Sequence, residues 1–276
     1  RLVGSEMCIR DRDGTDAEDL RRRISPFLMR RLKKEVLTEL PDKIESVFTA
    51  QMSPEQAKVY EATMMRLRQR VDSIVKEKGF ERGRTEVLAA ITQLREICCH
   101  PSLVLDDYTG TSGKLDMLLD MLPEAIAKGR RVLLFSAFTS MLKILRRELD
   151  DAGYETMYLD GDTPAQRRVE MAEQFNAGQG QIFLISLKAG GTGLNLTGAD
   201  MVIHYDPWWN PAAEDQATDR AYRIGQTRKV EVIRLVTHAS IEEQVVALGQ
   251  RKKALFDQLI KPGESMVGGL SPQEIM

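Results

Sequence analysis

Cysteine is scarce in this sequence, and long apolar runs are absent. The chain has 276 residues and three cysteines, Cys8, Cys98 and Cys99, of which the last two are neighbours. Neighbouring cysteines are poorly placed to bridge each other, so the pattern indicates a reducing compartment and argues against a disulfide scaffold. No stretch approaches the ~18 uninterrupted apolar residues of a transmembrane helix. We therefore expect a globular protein that makes no contact with a membrane.

A strong excess of one charge is also absent. The sequence has 39 Lys and Arg residues against 41 Asp and Glu residues, which gives a net charge of −2. This balance argues against a globally basic nucleic-acid-binding protein but does not exclude a local basic patch. One basic cluster lies between Arg21 and Lys34, around the apolar residues 27–29. It is typical either of a solvated helix face or of a contact to a phosphate backbone.

Two motifs that bind nucleotide phosphates and their metal ion are missing. The sequence contains no G-x-x-x-x-G-K-[ST] loop, and no adjacent Asp-Glu pair follows a predicted strand. Cys98, Cys99 and His100 lack a second pair of ligands at a useful spacing, so we expect a helix end there and no metal site. These 276 residues are therefore expected to contain neither a phosphate cradle nor metal ligands.

The first part of the chain reads as largely helical. Residues 1–12 show no periodicity and no start signal, and we interpret them as a non-native extension. A strand is expected over 44–52, and a helix with an apolar face over 85–99. A polar, glycine-containing stretch over 106–113 indicates a domain boundary.

Local signals predict where several helices begin and end. Ser53 and Gln56 are expected to form a capping box, in which each side chain accepts or donates at the other's backbone. Pro123 is expected to bend or end the helix that begins at Gly113. Thr163 is expected to cap the helix that follows it.

The second part of the chain alternates strands with helices. Apolar runs predict five strands, over residues 132–135, 156–160, 181–186, 201–206 and 230–236. Alternation of this kind implies an α/β fold whose parallel sheet is covered by helices on both sides. Because ligands of such sheets bind at the carboxyl ends of the strands, the loops after the first four strands are where we expect the chemistry.

The loop after the third of these strands is rich in glycine. It runs from Ser186 to Asn195 and contains Lys188 together with three glycines. Glycine lets the backbone approach a phosphate closely, and clustered N–H groups form an anion-binding nest. The same composition is also typical of a tight turn between a strand and a helix.

Two arginines and a glutamine recur at helical spacing after the fourth strand. A helix that begins at Asn210-Pro211 and ends at Gly225 would present Gln216, Arg220 and Arg223 on one face. Two arginines near the carboxyl end of a strand can clamp the charge that develops during phosphoryl transfer. The alternative is a surface arginine pair bonded to neighbouring acidic residues.

Nine longer stretches occur in a fixed order along the chain. They are PFLMRRLKKEVLTELPDK (26–43), LREICCHP (94–101), SGKLDML (112–118), RVLLFSAFTSML (131–142), LDGDTPAQRR (159–168), QFN (174–176), ISLKAGGTGLNLTGAD (185–200), HYDPWWNPAAEDQATDRAYRIGQ (204–226) and ASIEEQVV (239–246). Together they resemble the C-terminal half of Swi/Snf-related helicase-like ATPases, a group of superfamily-two DNA translocases. Within them, QATDRAYRIGQ is far more specific than the glycine-rich loop alone.

This resemblance implies a RecA-like, three-layer α/β fold. Residues 112–238 would form the helicase C-terminal domain with a mostly parallel sheet, preceded by a helical insertion over 53–111. Residues 13–52 would be the tail of a first lobe and the inter-lobe link, and 239–276 a long C-terminal brace helix and tail. The first lobe, with its phosphate loop and Asp-Glu box, is expected outside these 276 residues.

The resemblance also implies roles for individual residues. The catalytic arginine fingers would be Arg220 and Arg223. The residues expected to line the ATP site or to couple it to DNA are Gln216, Gly191, Thr192, Gly193 and Asn195. Those expected to contact the DNA backbone are Ser136, Gly161, Thr163, Arg168 and Lys188. Trp208 and Trp209 lie in the family's tryptophan-bearing stretch, although ordinary packing explains them equally well.

The implied function is one lobe of an ATP-dependent double-stranded DNA translocase, a hydrolase of ATP. Magnesium bound with ATP would take its ligands from the first lobe, so the chain alone is expected to hydrolyse almost no ATP. The alternative is a non-catalytic DNA-binding or docking module on the same fold, and an RNA helicase is a third interpretation. Because Pro207-Trp208-Trp209 is similar to bacterial members, we expect a cytoplasmic, nucleoid-associated protein, or a nuclear one in a eukaryote.

Overall fold

A computed structural model describes residues 40–189 and 193–259 of the chain. Its contacts separate residues 40–249 from a second unit that includes residues 250–259. The predicted N-terminal extension and the basic cluster around Phe27 lie outside the described residues. Among the described helices, none is long and apolar enough to cross a lipid bilayer.

Six parallel strands form one sheet. They are β1 (Lys43–Ala50), β2 (Val132–Ser136), β3 (Thr156–Leu159), β4 (Ile182–Ser186), β5 (Met201–His204) and β6 (Val230–Thr237), in the spatial order β1-β6-β5-β2-β4-β3. The predicted α/β fold with a parallel sheet is confirmed. The strand expected near residue 44 joins the same sheet, because β1 pairs with β6 along its whole length, from Lys43 opposite Val230 onward.

Seven α-helices accompany the sheet in the described part of the chain. They are α1 (Pro54–Lys78), α2 (Phe80–Cys99), α3 (Gly113–Ala127), α4 (Thr139–Asp151), α5 (Ala165–Asn176), α6 (Pro211–Thr218) and α7 (Ile241–Leu259). The strands β2, β4 and β5 are buried at every residue, which explains why each is a nearly continuous apolar run.

Helices cover both faces of the sheet, in three layers. Because side chains alternate along a strand, Leu134 of β2 faces one side and Leu133 faces the other. On the first side Leu134 packs in a core with residues of α3 and α4, among them Leu118 and Leu142. On the second side Leu133 shares a core with Phe175 of α5.

The helices α1 and α2 form a helical hairpin with a small core of its own. Ser53 caps α1 as predicted, because its hydroxyl accepts the N–H of Gln56 at 3.2 Å. The second half of the predicted capping box is wrong, since the Gln56 side chain turns away and is fully buried. It donates to the carbonyl of Ile97 at 2.8 Å and accepts the N–H of Gly113 at 3.0 Å. Gln56 thus satisfies a carbonyl at the end of α2, which has no partner within its own helix.

Two other helix signals can be compared with the structure. Of the two outcomes predicted for Pro123, an end of the helix is wrong, because α3 continues to Ala127 with Leu122 and Ala125 buried on its apolar face. Thr163 does not cap α5, whose first residue is Ala165. The Thr163 hydroxyl bonds to Asp160 instead, so it shapes the preceding loop.

One fully buried ion pair joins α3 to the beginning of α7. The Lys114 ammonium lies 2.7 Å from the carboxylate of Glu242, and neither side chain is exposed to solvent. Lys114 also donates to the carbonyl of Tyr205 at 3.0 Å, and Glu242 accepts the N–H of Thr237 at 2.8 Å. These extra hydrogen bonds offset part of the cost of taking the two charges out of water.

Candidate functional site

Several predicted site residues lie where β2, β3 and β4 end. Because these strands are parallel, their carboxyl ends lie on one side, and the loops after them begin there. Gly161 and Lys188 are exposed in the loops after β3 and β4, and Gly193 and Asn195 are exposed farther along the segment that leads to β5. A ligand at the carboxyl ends of the strands can therefore reach Gly161 and Lys188.

The segment that carries Gln216, Arg220 and Arg223 is not one long helix. α6 ends at Thr218, so Arg220 and Arg223 lie beyond it, and the predicted common helix face is wrong. Asn210 caps α6 by accepting the N–H of Ala212 at 3.2 Å, as the sequence predicts for its start. The early end has a tertiary cause, because the carbonyl of Arg220 accepts the N–H of Leu196 at 2.9 Å.

Gln226 holds the irregular turn after α6 in place. Its side-chain amide is buried and donates to three backbone carbonyls, those of Thr197 (3.2 Å), Ala199 (2.8 Å) and Ala221 (3.0 Å). Its amide oxygen accepts the N–H of Arg228 at 2.9 Å. The sequence motif predicted a function for Arg223 but none for Gln226. The structural role of Gln226 depends on carbonyls such as those of Thr197 and Ala199, which only the folded chain brings next to it.

The two arginines of this segment have opposite environments. Arg223 is exposed, and its guanidinium donates to the carbonyl of Gly193 at 3.3 Å. Arg220 is only 4% exposed. Burial lowers the pKa of Arg220 from 12.5 to about 10, so its guanidinium stays cationic at neutral pH. Of the two arginines, Arg223 is thus the one that a ligand can reach directly, and Gln216 on α6 is also exposed.

Arg168 binds two of the edge loops together. Its guanidinium donates to the carbonyls of Thr163 (2.7 Å), Gly161 (2.9 Å) and Ala189 (3.3 Å). The first two carbonyls lie in the loop after β3, and the third lies in the loop after β4. Arg168 therefore uses its donors inside the protein, whereas Lys188, next to Ala189, is exposed.

The loop after β3 is also organised by a carboxylate. Asp160 accepts the Tyr158 hydroxyl at 2.9 Å and the N–H of Asp162 at 3.0 Å. Burial opposes its ionisation, but these hydrogen bonds and those from Thr163 outweigh burial, so the pKa of Asp160 is lowered. The Thr163 hydroxyl, predicted to contact DNA, is held 3.3 Å from this carboxylate.

Ser136 is buried at the end of β2. Its hydroxyl donates to Asp206 Oδ1 at 2.5 Å and accepts the N–H of Phe138 at 3.1 Å. The same carboxylate oxygen accepts the N–H of Ala137 at 3.1 Å. The hydroxyl predicted to face nucleic acid thus lies inside the protein, where it joins the loop after β2 to the loop after β5.

Trp208 and Trp209 pack around a buried arginine from the helical hairpin. The Arg95 guanidinium lies 5.3 Å from the Trp208 ring centre, 5.4 Å from that of Trp209 and 5.1 Å from that of Phe138. We call these three aromatic residues the aromatic cage. Both tryptophans are half-buried, so packing accounts for them. Sequence reasoning missed Arg95, because its neighbours predict only a helix.

Two predicted residues, Gly191 and Thr192, lie outside the described residues. Asn195 is exposed, and its carbonyl accepts the Asn176 side chain at 2.9 Å. In residues 40–189 and 193–259 no group of three or more His, Cys, Asp or Glu side chains could hold a metal ion. The predicted helix end is confirmed, because α2 ends at Cys99. The thiols of Cys98 and Cys99 are fully buried, and burial raises the pKa of Cys98 to about 12.

Two family models match the chain. The helicase conserved C-terminal domain matches residues 113–225, and the SNF2-related domain matches residues 5–103. The first range contains the loops after β2 to β5 and Arg223. The second range contains the whole helical hairpin, which ends at Cys99.

Individual relatives agree with these models. The chain is 38% identical over 274 residues to a putative ATP-dependent helicase/translocase of Bacillus subtilis, covering 96% of this chain and 29% of that protein. It is 37% identical to a chromatin structure-remodeling complex subunit of Schizosaccharomyces pombe, covering 87% of this chain and 21% of that protein. The chain thus spans less than a third of the length of either relative.

Solved structures from Sulfolobus solfataricus are similar in both sequence and fold. A SWI2/SNF2 ATPase C-terminal domain is 30% identical with a TM-score of 0.65, and the match covers 85% of this chain and 96% of that one. A SWI2/SNF2 ATPase core in complex with double-stranded DNA is 35% identical with a TM-score of 0.67, covering 95% of this chain and 56% of that one.

Proposed function

Because the chain belongs to the SWI2/SNF2-related helicase family, we propose that it supplies the C-terminal lobe of an ATP-dependent double-stranded DNA translocase. The ATP site would be shared with a first lobe that carries the phosphate loop and the Asp-Glu box. The observation that carries this proposal is the exposed Arg223, whose guanidinium donates to the carbonyl of Gly193 in the segment between β4 and β5.

In this proposal Arg223 is the arginine finger. An arginine supplied across a cleft stabilises the charge that spreads over the transferred phosphoryl group. Its exposed guanidinium has donors left for a phosphate beyond the one bond to Gly193. Arg220 would add positive charge from the interior, because it stays cationic at neutral pH although it is buried.

The remaining edge residues divide into contacts and supports. Lys188 and the backbone of Gly161 are exposed and would contact the DNA phosphates. Arg168 would act as a support, because its donors hold the carbonyls of both loops that carry these contacts. Ser136 would likewise support the edge through Asp206 rather than touch DNA.

Among the described residues no group of three or more His, Cys, Asp or Glu side chains could hold a metal ion. The ligands of magnesium bound with ATP are proposed on the first lobe. The chain's own contribution is to bind DNA, to position Arg223 and to hold the edge loops rigid. Such an activity belongs where the cell keeps its DNA, which is the nucleoid of a bacterium or the nucleus of a eukaryote.

An assay of ATP turnover with the two halves separated and combined tests the shared site. The 276-residue chain alone is expected to hydrolyse almost no ATP, with or without duplex DNA. Addition of a first lobe, or its fusion to the chain, is expected to give turnover that duplex DNA stimulates more than RNA does. Turnover by the chain alone would overturn the shared site, and a combined protein without DNA-stimulated turnover would favour a non-catalytic docking module.

A further inference from the structure

Arg95 is a buried cation between two parts of the fold. It belongs to α2 of the helical hairpin, yet it is only 1% exposed. Its Nη2 atom donates to Asp206 Oδ2 at 3.1 Å and to the carbonyl of Pro207 at 2.7 Å. Both acceptors lie in the loop after β5, so a single side chain connects the hairpin to the edge of the sheet.

The aromatic cage closes around this guanidinium from the edge loops. Phe138 precedes α4, and the two adjacent tryptophans follow β5, so two separate loops converge on one side chain. Cations over aromatic faces gain more as they are removed from water, and here the guanidinium is almost fully buried while the rings are half-buried. A flat guanidinium fits between rings and still donates at its edge, which a lysine ammonium cannot do.

The contacts of Arg95 continue into the elements that carry the proposed site. Asp206 connects Arg95 to the Ser136 hydroxyl and the N–H of Ala137. The N–H of Trp208 donates at 2.7 Å to Glu214, which lies on α6 two residues before Gln216. The loop after β2 and the helix that leads to Arg223 are thereby both connected to the aromatic cage.

The arrangement is not the one that stability alone favours. In the described structure the Nε of Arg95 is buried and has no hydrogen-bond partner. A buried donor without an acceptor destabilises the fold, and an apolar side chain of similar volume avoids this cost. The guanidinium is therefore better explained by what it positions than by what it contributes to folding.

We propose that Arg95 is a positioning residue that couples the helical hairpin to the edge loops, so that a displacement of these loops by bound DNA is transmitted through the aromatic cage to α6. This coupling rests on the proposed function, because it transmits DNA binding to the ATP site. The coupling acts through the aromatic cage and Asp206. Each of these side chains contacts the same guanidinium, so a shift of any one of them changes its contact with Arg95.

The experiment uses the protein with both lobes present and compares Arg95→Lys with Arg131→Lys. Arg131 is a matched control, because its guanidinium lies 3.9 Å from the Phe175 ring centre and donates to backbone carbonyls away from the edge loops. The measured quantity is the ratio of DNA-stimulated to unstimulated turnover. A merely structural role lowers both rates together through the folded fraction and leaves this ratio unchanged.

For Arg95→Lys the ratio is expected to fall roughly tenfold, a typical size for coupling between sites, while Arg131→Lys keeps the wild-type ratio. Should Arg95→Lys not fold, Phe138→Leu removes one ring and keeps the ion pair, and a smaller fall is expected. An unchanged ratio in the folded variant overturns the coupling. A wild-type protein without any stimulation by DNA overturns the proposed function instead.

Tryptophan fluorescence gives a second readout, because Trp208 and Trp209 are the only tryptophans of the chain. Addition of duplex DNA to the 276-residue chain is expected to change the emission of the wild type and to leave that of Arg95→Lys much less affected. Equal responses of the two proteins would contradict the coupling, whatever the turnover assay shows about the ATP site.

Discussion

Lysine and arginine side chains serve opposite purposes at the exposed surface and in the interior of this fold. At the edge, Lys188 and Arg223 hold their charges in water with few internal bonds. In the interior, Arg95 and Lys114 are almost fully buried and bonded to Asp206 and Glu242. The difference teaches that environment, and not residue type, separates the cations that can meet a phosphate from those that organise the fold.

The physical reason is the cost of desolvation. A charge taken out of water costs several kcal/mol, so it persists in the interior only with a partner and good geometry. An exposed charge has no such cost and little effect on stability, but its donors remain available to a ligand. Substitutions at the edge should therefore change activity and binding, whereas substitutions in the interior should change stability first.

The largest effect is expected at Arg223. Arg223→Ala should lower the DNA-stimulated ATP turnover of the two-lobe protein by roughly 10³–10⁵, the range for removal of an arginine finger. Its thermal midpoint should stay close to the wild-type value, because the side chain is exposed. Arg228→Ala is the control, since that guanidinium is also exposed and lies 3.4 Å from Asp200. A reduction of only a few-fold for Arg223→Ala would show a structural arginine.

A large effect on stability is expected at Lys114. Lys114→Met leaves the Glu242 carboxylate buried without its cation, and should lower the free energy of unfolding by about 3–5 kcal/mol. The double variant Lys114→Met/Glu242→Leu should recover most of that loss, because no buried charge remains. Urea unfolding measures both variants. A loss below about 1 kcal/mol in the single variant, as for a surface pair, would contradict the contrast between interior and edge.

A moderate effect on DNA binding is expected at Lys188. Lys188→Ala should reduce the slope of log affinity against log salt by about 0.9, the change expected when one DNA phosphate is no longer neutralised. The affinity should fall to a similar extent for all duplex sequences, because phosphates carry no sequence information. Lys143→Ala, exposed on α4, is the control. Equal slopes for Lys188→Ala and the wild type would remove Lys188 from the interface.

The smallest effect is expected at Glu45, an exposed carboxylate of β1 that is paired with Lys43 and Arg234. Burial opposes its charge, but the hydrogen bonds and charges of Lys43 and Arg234 prevail and lower the pKa of Glu45 from 4.5 to about 2. Because the folded pKa lies below the unfolded one, the ionised carboxylate stabilises the fold above pH 4.5 and loses this effect as the pH falls toward 2.

Glu45→Gln should therefore have a lower free energy of unfolding than the wild type at neutral pH. This gap in the free energy of unfolding should close as the pH falls from 4.5 toward 2. Urea unfolding across this range measures the gap. Glu61→Gln, on the exposed face of α1, serves as the control. A gap that stays constant with pH would mean that Lys43 and Arg234 do not stabilise the charge of Glu45.

Much of the fold is predictable because its signals are local. The runs Val132–Ser136 and Ile182–Ser186 are apolar over most of their length, which predicts strands covered on both faces. The cap at Ser53 follows from a hydroxyl three residues before an N–H. The end of α6 was not predictable, because it depends on Leu196, more than twenty residues earlier in the chain.

By itself, the sequence determined the order of strands and helices, the motifs of the helicase C-terminal domain and the set of arginines near a strand end. Only the tertiary structure decided that Arg223 is exposed, that Arg220 is buried and that Trp208 and Trp209 surround Arg95. The reason is that burial comes from contacts between distant parts of the chain. Arg95 and Asp206 are 111 residues apart, and no local sequence pattern predicts the contact between them.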